Sequence, residues 1–386
     1  MGLKKHENTI IKVGLIISLI GSLFMMYLFV WYQRDASVRL ALDTDAAGNY
    51  GSFVGGVVGT ILSILLLYLT FRLQREDSEN NSRVYENQIL NDEFFHMLEL
   101  YNDIAERFEY FNAERAEFNK GKDALKSLLG EMYDNYDAET NFNQRRKVTQ
   151  YEYMNVMHTH YETAAVYFRT IYRIFQIIDE AKCEESKKVE YAKIMRAQLT
   201  SAELVMLRYN AMTLYGLKSK QYLNAYNVMK HIQPFDLLEM KKWRTSLSTQ
   251  DISLANMTLQ NVRFLAKDLL TGESEKLFKQ MKDNRYCLMI ETNESFSSLN
   301  VMVSIDNSFV APKYSQMLWL DNFSPDELED MMYYFLYDTV CLSNFNQFNR
   351  RADLHFHHER KTNLDGLTNI TVIVENKKGN PIKLSN

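Results

Sequence analysis

Two stretches near the N terminus carry no charge over a length that strongly restricts what the chain can fold into. "VGLIISLIGSLFMMYLFVWY", from Val13 to Tyr32, is the first. A helix of that length rises about 30 Å, one hydrocarbon thickness. The second uncharged run extends from Ala46 to Phe71, with its apolar heart at Phe53–Phe71. Trp31 and Tyr32 stand where an interfacial aromatic belt would lie. The first run is longer than the apolar part of a secretory signal, and no small-x-small site follows it directly, so an uncleaved helix is expected.

Lys and Arg near the two runs set an expected orientation. Lys4, Lys5 and Lys12 precede the first run, and Arg72, Arg75 and Arg83 follow the second. The connecting loop holds Arg34 and Arg39 beside Asp35, Asp43 and Asp45. The reading is a multi-pass membrane protein with both termini cytoplasmic, which in a bacterium would be an inner-membrane protein. The 386-residue chain as a whole has ordinary polarity: 24% of its residues are charged and the net charge is −5. Interleaved charges argue against a broad nucleic-acid surface. Cys183, Cys287 and Cys341 are far apart and form no C-x-x-C, which fits a reducing compartment and leaves no sequence-coded zinc site.

Small residues recur along the apolar runs. Gly51, Gly55, Gly59 and Ser63 form one stripe at four-residue spacing, and Ser52, Gly56 and Thr60 form a second. Gly14, Ser18 and Ser22 repeat the spacing in the first run. In lipid, close backbone approach along small residues is a main source of helix association. The stripes therefore pack two helices within one chain, or pack copies of the chain into a homo-oligomer. Neither run has an ionisable residue in its middle, which argues against a proton relay.

The chain has no proline before Pro234, and helical patterns fill that part. "FFHMLELYNDIAERFEYF" places Phe94, Leu98, Tyr101, Ala105, Phe108 and Phe111 on one face. A second helix reads "AAVYFRTIYRIFQIID". A third runs from Tyr191 to Gly216, with Gly216 as its C-cap. After Pro234, "RYCLMIET", "LNVMVSID", "DLHFHHER" and "NITVIVEN" read as strands. Ser324, Pro325 and Glu327 mark a helix start. The expected fold is a membrane-anchored, mainly α chain. Two transmembrane helices lie at about 13–32 and 51–71, within a membrane unit 1–76. A cytoplasmic helical domain, 77–233, and a C-terminal α+β region, 234–386, follow.

Phosphate-loop, dinucleotide, nucleophile-elbow and zincin motifs are all absent from the sequence. No catalytic residue, cofactor, metal or small-molecule substrate is expected, and the chain reads as a non-enzyme. The alternative chemistry lies in "RRADLHFHHER". His355 and His357 share one face of a strand and could share a metal, with His358 on the other face. Arg350 and His355 also have the R-x-x-x-x-H spacing of HEPN-type ribonucleases, although that motif belongs on a helix. His158 and Glu162 share a helical face in "HTHYE". Basic clusters occur at Lys218–Lys220, Lys241–Arg244 and Arg350–Arg351.

In order along the chain stand "GSFVGGVVGTILSILLLYLTFRLQRE", "FFHMLELYNDI", "GKDALKSLL", "YFRTIYRIFQIID" and "RAQLTSAELVMLRYNAMTLYG". Over roughly residues 50 to 230 this order resembles the phage abortive infection proteins of the AbiC type. The resemblance implies antiviral defence through host death or growth arrest. Proteins of this two-span kind also stand beside retron reverse transcriptases. There a reverse transcriptase with its RNA-linked DNA would hold the effector inactive until a phage disturbs the complex. The resemblance carries over no catalytic residue. The leading expectation is an effector that disrupts or depolarises the membrane lipid as an oligomer. The alternatives are a membrane-anchored nuclease using Arg350, His355 and His357, or a non-toxic tether for a defence complex.

Overall fold

The computed structural model describes residues 44–53, 55–56, 59–112, 117–139, 142–270, 277–283, 285–308, 316–343, 354–380 and 382, with seven scattered positions between 16 and 27. The chain divides into two units, Met1–Gln88 and Ile89–Asn386.

In the first unit, α1 spans Thr44–Phe53, and α2, Gly59–Glu106, begins here. The apolar part of α2 is exposed on several sides, including Ile61, Ile64, Leu67 and Phe71. Its hydroxyls turn back on their own backbone: Ser63 donates to the Gly59 carbonyl at 2.8 Å and Thr70 to that of Leu66 at 2.9 Å. Thr60 does the same toward Gly56.

The expected membrane architecture needs correction here. From Gly59 to Phe71, α2 rises about 20 Å, short of the about 30 Å of a hydrocarbon core, and Arg72 follows at once. Among the described residues no helix is long and apolar enough to cross a membrane. The fold is mainly helical with a β-sheet unit, and the two-span, multi-pass inner-membrane placement is overturned. Most of the first apolar run, 13–32, lies outside the described residues.

The second unit opens with the rest of α2. Leu90, Phe94, Leu98, Tyr101 and Ala105 are buried along one face, as the 3.6-residue period requires. The helix stops at Glu106, and a short hairpin of β1 (Glu109–Asn112) and β2 (Glu117–Lys120) follows. Phe108 stays in the core, but Phe111 turns outward on the strand and is exposed. Gly121, at φ 64°, reverses the chain into α3 (Lys122–Asn135). Next come α4 (Phe142–Thr159), α5 (Tyr161–Glu180), α6 (Glu185–Gln198) and α7 (Ser201–Met212).

The run expected as one helix from Tyr191 to Gly216 is thus two. Thr200 caps α7 through the Glu203 amide, and the Glu203 carboxylate returns a bond to the Thr200 amide at 2.6 Å. This reciprocal capping box starts a new helix inside an otherwise continuous pattern. Leu204, Val205, Met206 and Leu207 are consecutive and all buried, so α7 is enclosed on every side. Short turns between Val228 and Met240 follow α8 (Ser219–Ala225), and α9 (Lys241–Arg244) leads to α10 (Thr249–Leu270).

The C-terminal part is a five-stranded antiparallel sheet in the order β3-β4-β5-β7-β6. Its strands are β3 (Phe278–Asp283), β4 (Tyr286–Thr292), β5 (Ser298–Asp306), β6 (Leu354–Thr362) and β7 (Leu367–Asn376). One face carries Leu288, Ile290, Val301, Val303, Val372 and Val374, all buried. Against that side pack α10 and α11 (Pro325–Tyr337), the latter started by the expected Ser324–Glu327 box with Pro325 in its first turn. The other face is mostly half-exposed and mixes polar residues with Met289, Met302 and Ile373, following the period of two.

Candidate functional site

A cleft of about 970 Å³ lies at the junction of α4 and α5. His160 sits between the two helices and starts the second, its carbonyl accepting the Ala164 amide at 3.0 Å. The His160 ring packs edge-on against Tyr110, 5.1 Å between centroids, and burial lowers its pKa against the opposing pull of Glu131. The walls are the end of α4, the first turns of α5 and the segment after α7. Met154, Met157, Val166 and Phe168 give an apolar floor, and Tyr153, Tyr161, Tyr172 and Tyr215 supply aromatic rings.

The segment after α7 is held in shape by local bonds. The Thr213 hydroxyl donates to the Asn210 carbonyl at 2.7 Å, and the Ser219 hydroxyl donates to that of Gly216 at 2.6 Å. Tyr153 reaches across from α4 to the Asn210 side chain at 3.1 Å. A Cβ on Gly216 would overlap the Asn210 carbonyl, so only glycine fits the observed path. Gly216 is therefore a close-approach glycine, not the expected helix cap, because α7 already ends at Met212 with Thr213 extended. The result is that Tyr215, 67% exposed, stands beside Tyr161 with ring centroids 5.5 Å apart.

Three charges reach the cleft from this frame: Arg169, Lys218 and Glu162. Arg169 donates its Nε to the Ala165 carbonyl at 3.1 Å, and the residue is exposed. Among the described residues neither Arg169 nor Lys218 forms an ion pair. His158 and Glu162, expected on one helical face, fall on either side of the α4–α5 break, and both line the cleft.

Behind the cleft, α7 carries two buried charges. Glu203 accepts from the Tyr101 and Tyr167 hydroxyls at 2.7 Å each and lies 3.7 Å from the Lys122 ammonium. One turn further, Arg208 meets Asp338 through two nitrogens, at 2.5 and 3.3 Å, with Glu239 at 3.8 Å. Arg263 reaches the same carboxylate at 3.3 Å. Burial by itself would lower the Arg208 pKa, but Asp338 and Glu239 outweigh it and hold it raised. Burial pulls Arg263 down to about 10, with Asp338 opposing. Glu239 is pushed up by burial, with Arg208 opposing. Arg145 packs beside the Trp243–Tyr334 ring pair, 4.4 Å from the Trp243 centroid and 5.1 Å from that of Tyr334. The sequence patterns did not single out these charges. The T-x-x-E spacing at Thr200–Glu203 is the one signal that could have found Glu203.

The residues expected to carry chemistry are elsewhere. His355 and His357 do share the exposed face of β6. His358 faces α11, bonded to Glu329 and edge-on to Tyr333 at 5.3 Å. Arg350 lies outside the described residues. Among the described residues no group of three or more potential metal ligands occurs. Of the small-residue stripes, Gly14, Ser18 and Ser22 lie outside the described residues. Gly51, Gly55 and Gly56 have open space where a side chain would stand, and Ser52 is exposed. Gly59, Thr60 and Ser63 open α2. Of the basic clusters, Lys241 bonds the Asp134 and Tyr136 carbonyls and Arg244 pairs with Asp236 at 3.3 Å, so that pair is structural. Among the described residues of the basic clusters, Lys218 alone lines the cleft.

No curated protein and no solved structure matches the chain. The resemblance read over residues 50 to 230 is met over a shorter stretch, which holds most of the cleft wall and both buried charges of α7. Residues 159–237 match the family model described as putative phage abortive infection protein, and that match supports a role in phage defence for this chain.

Proposed function

We propose that this chain is an effector of abortive infection that works by binding and assembly, with no catalytic step of its own. The observation that carries the reading is the placement of the cleft. Its wall comes mainly from the segment that matches the defence family, and the same segment contributes α7, enclosed in the core. A partner seated in the cleft would touch α5 and the Tyr215 segment directly. Through Arg208 and Asp338 it would then bear on the C-terminal sheet unit. In this reading a defence partner holds the chain quiet, and its loss on infection sets the effector free to self-associate. A reverse transcriptase with RNA-linked DNA is one partner of suitable kind.

The test fills the cleft. Ala165 is half-buried in its wall, so Ala165→Trp blocks it without touching either α7 charge. Phage plating is compared on cells carrying the whole system with the wild-type chain or this variant, at matched protein level and with helix content checked. The reading expects protection to be lost. Full protection by a folded Ala165→Trp chain would refute it.

A further inference from the structure

The composition of the cleft selects among ligands. Two cations, Arg169 and Lys218, reach it without a carboxylate partner among the described residues, so an anion is favoured there. The aromatic rings are not filler in a closed core. Tyr161 is 51% and Tyr215 67% exposed, side by side at the mouth. Exposed rings next to cations that lack a carboxylate partner suit a ligand that joins a flat π-system to a phosphate. Glu162 on the same wall is an acceptor of the kind that a sugar hydroxyl or a base amine requires. The volume of about 970 Å³ holds a nucleotide with room to spare.

We propose that this cleft binds a nucleotide unit. The base stacks on the more exposed Tyr215 ring with the tilted Tyr161 ring, 59° away in plane, against its edge, the phosphate faces Arg169 and Lys218, and Glu162 takes a hydroxyl or amine. No glycine-rich phosphate loop is present, so the phosphate is held by side chains instead of backbone amides. The unit comes either as a free mononucleotide or as the 5′ end of a single strand. No covalent step is involved. The inference rests on the proposed role of the cleft and names what would occupy it.

The test uses the purified full chain and calorimetric titration with two probes, a mixture of the four nucleoside monophosphates and a short 5′-phosphorylated single-stranded oligonucleotide. Saturable binding of the monophosphates identifies a free nucleotide as ligand. Binding of the oligonucleotide alone identifies a strand end. In either case Arg169→Ala and Lys218→Ala should each weaken binding about tenfold or more, and added salt should weaken it further. Tyr215→Leu should weaken it while leaving the salt dependence unchanged. All three side chains are exposed, so the variants are expected to fold, as checked by thermal melting. No saturable binding of either probe at millimolar concentration, or binding that all three variants retain, would overturn the inference. The two proposals separate cleanly. If Ala165→Trp abolishes protection and no nucleotide binds, the cleft functions but takes another ligand. If a nucleotide binds and protection survives Ala165→Trp, the site is real and the proposed function falls.

Discussion

Arg208 of α7 and Asp338, just past α11, are 130 positions apart and form a two-point ion pair in which both side chains are buried. Arg263 shares the same carboxylate. Two cations on one acid make Asp338 the more costly member to lose. Breaking a buried pair from one side typically costs about 3–5 kcal/mol. Asp338→Leu removes the carboxylate that two guanidinium groups share, leaving Arg208 with Glu239 at 3.8 Å and Arg263 with the Ile232 carbonyl at 2.8 Å, whereas Arg208→Met leaves Asp338 with Arg263. Asp338→Leu should therefore lower the urea midpoint more than Arg208→Met does. The double variant should lose less than the sum of the two. Additive losses would show that the pair is not coupled.

Glu203 works differently, because its hydrogen-bond partners are two hydroxyls and one amide, with the Lys122 ammonium 3.7 Å away. A single oxygen serves both Tyr101 and Tyr167. Glu203→Ala leaves two buried hydroxyls and the Thr200 amide without an acceptor, at a cost of about 3 kcal/mol or more. Tyr101→Phe removes one donor only and should cost about 1 kcal/mol. Thermal melting compares them, and equal losses would argue against Glu203 as the hub.

The buried tyrosines dictate an alkaline limit. Burial raises the pKa of Tyr101, Tyr153, Tyr167, Tyr209 and Tyr334 above the ordinary value of 10.0. In the unfolded chain these groups ionise near pH 10. Above that pH the folded state binds more protons than the unfolded one, so stability is full below about 10 and is lost as pH rises beyond it. Arg263, pulled down to about 10, acts in the opposite direction over the same window, but it is one group against five. Tyrosinate absorbance should therefore rise in step with loss of helical circular dichroism. Smooth ionisation of these rings without unfolding would contradict the burial assigned to them.

Gly216→Ala tests the frame of the cleft. The added methyl overlaps backbone, which has little freedom to move, and overpacking of this kind costs about 1–3 kcal/mol. The Tyr215 ring should shift from Tyr161, so the variant should lose protection against phage at temperatures where it remains folded. Unchanged protection and an unchanged melting point would show that the segment accommodates a side chain.

Much of this was legible in the sequence where one local rule acts alone. The four strand-like runs became β4 to β7, since alternation and flanking turn residues agree there. β3 was missed because "FKQMKD" has little apolar content and pairs as an edge strand. Phe111 was misplaced because the helical period was continued past Glu106, where the hairpin takes over. The apolar run ending at Phe71 was read by length alone. In the fold, α2 begins at Gly59, which leaves its apolar part too short to span. Of the cleft, the sequence marked His158, Glu162 and Lys218 but not their meeting in one site. It depends on the break at His160, on Gly216 against Asn210, and on side chains that are distant in sequence.

The most direct measurement of the central claim is a single round of infection. Cells carrying the complete system are infected at a multiplicity that reaches every cell, and phage released per cell is counted together with cell survival. With the wild-type chain, release should collapse and infected cells should fail to recover, which is the signature of abortive infection. With Ala165→Trp, release should return to the level of cells that lack the system. Release that stays suppressed with a folded Ala165→Trp chain would contradict the account.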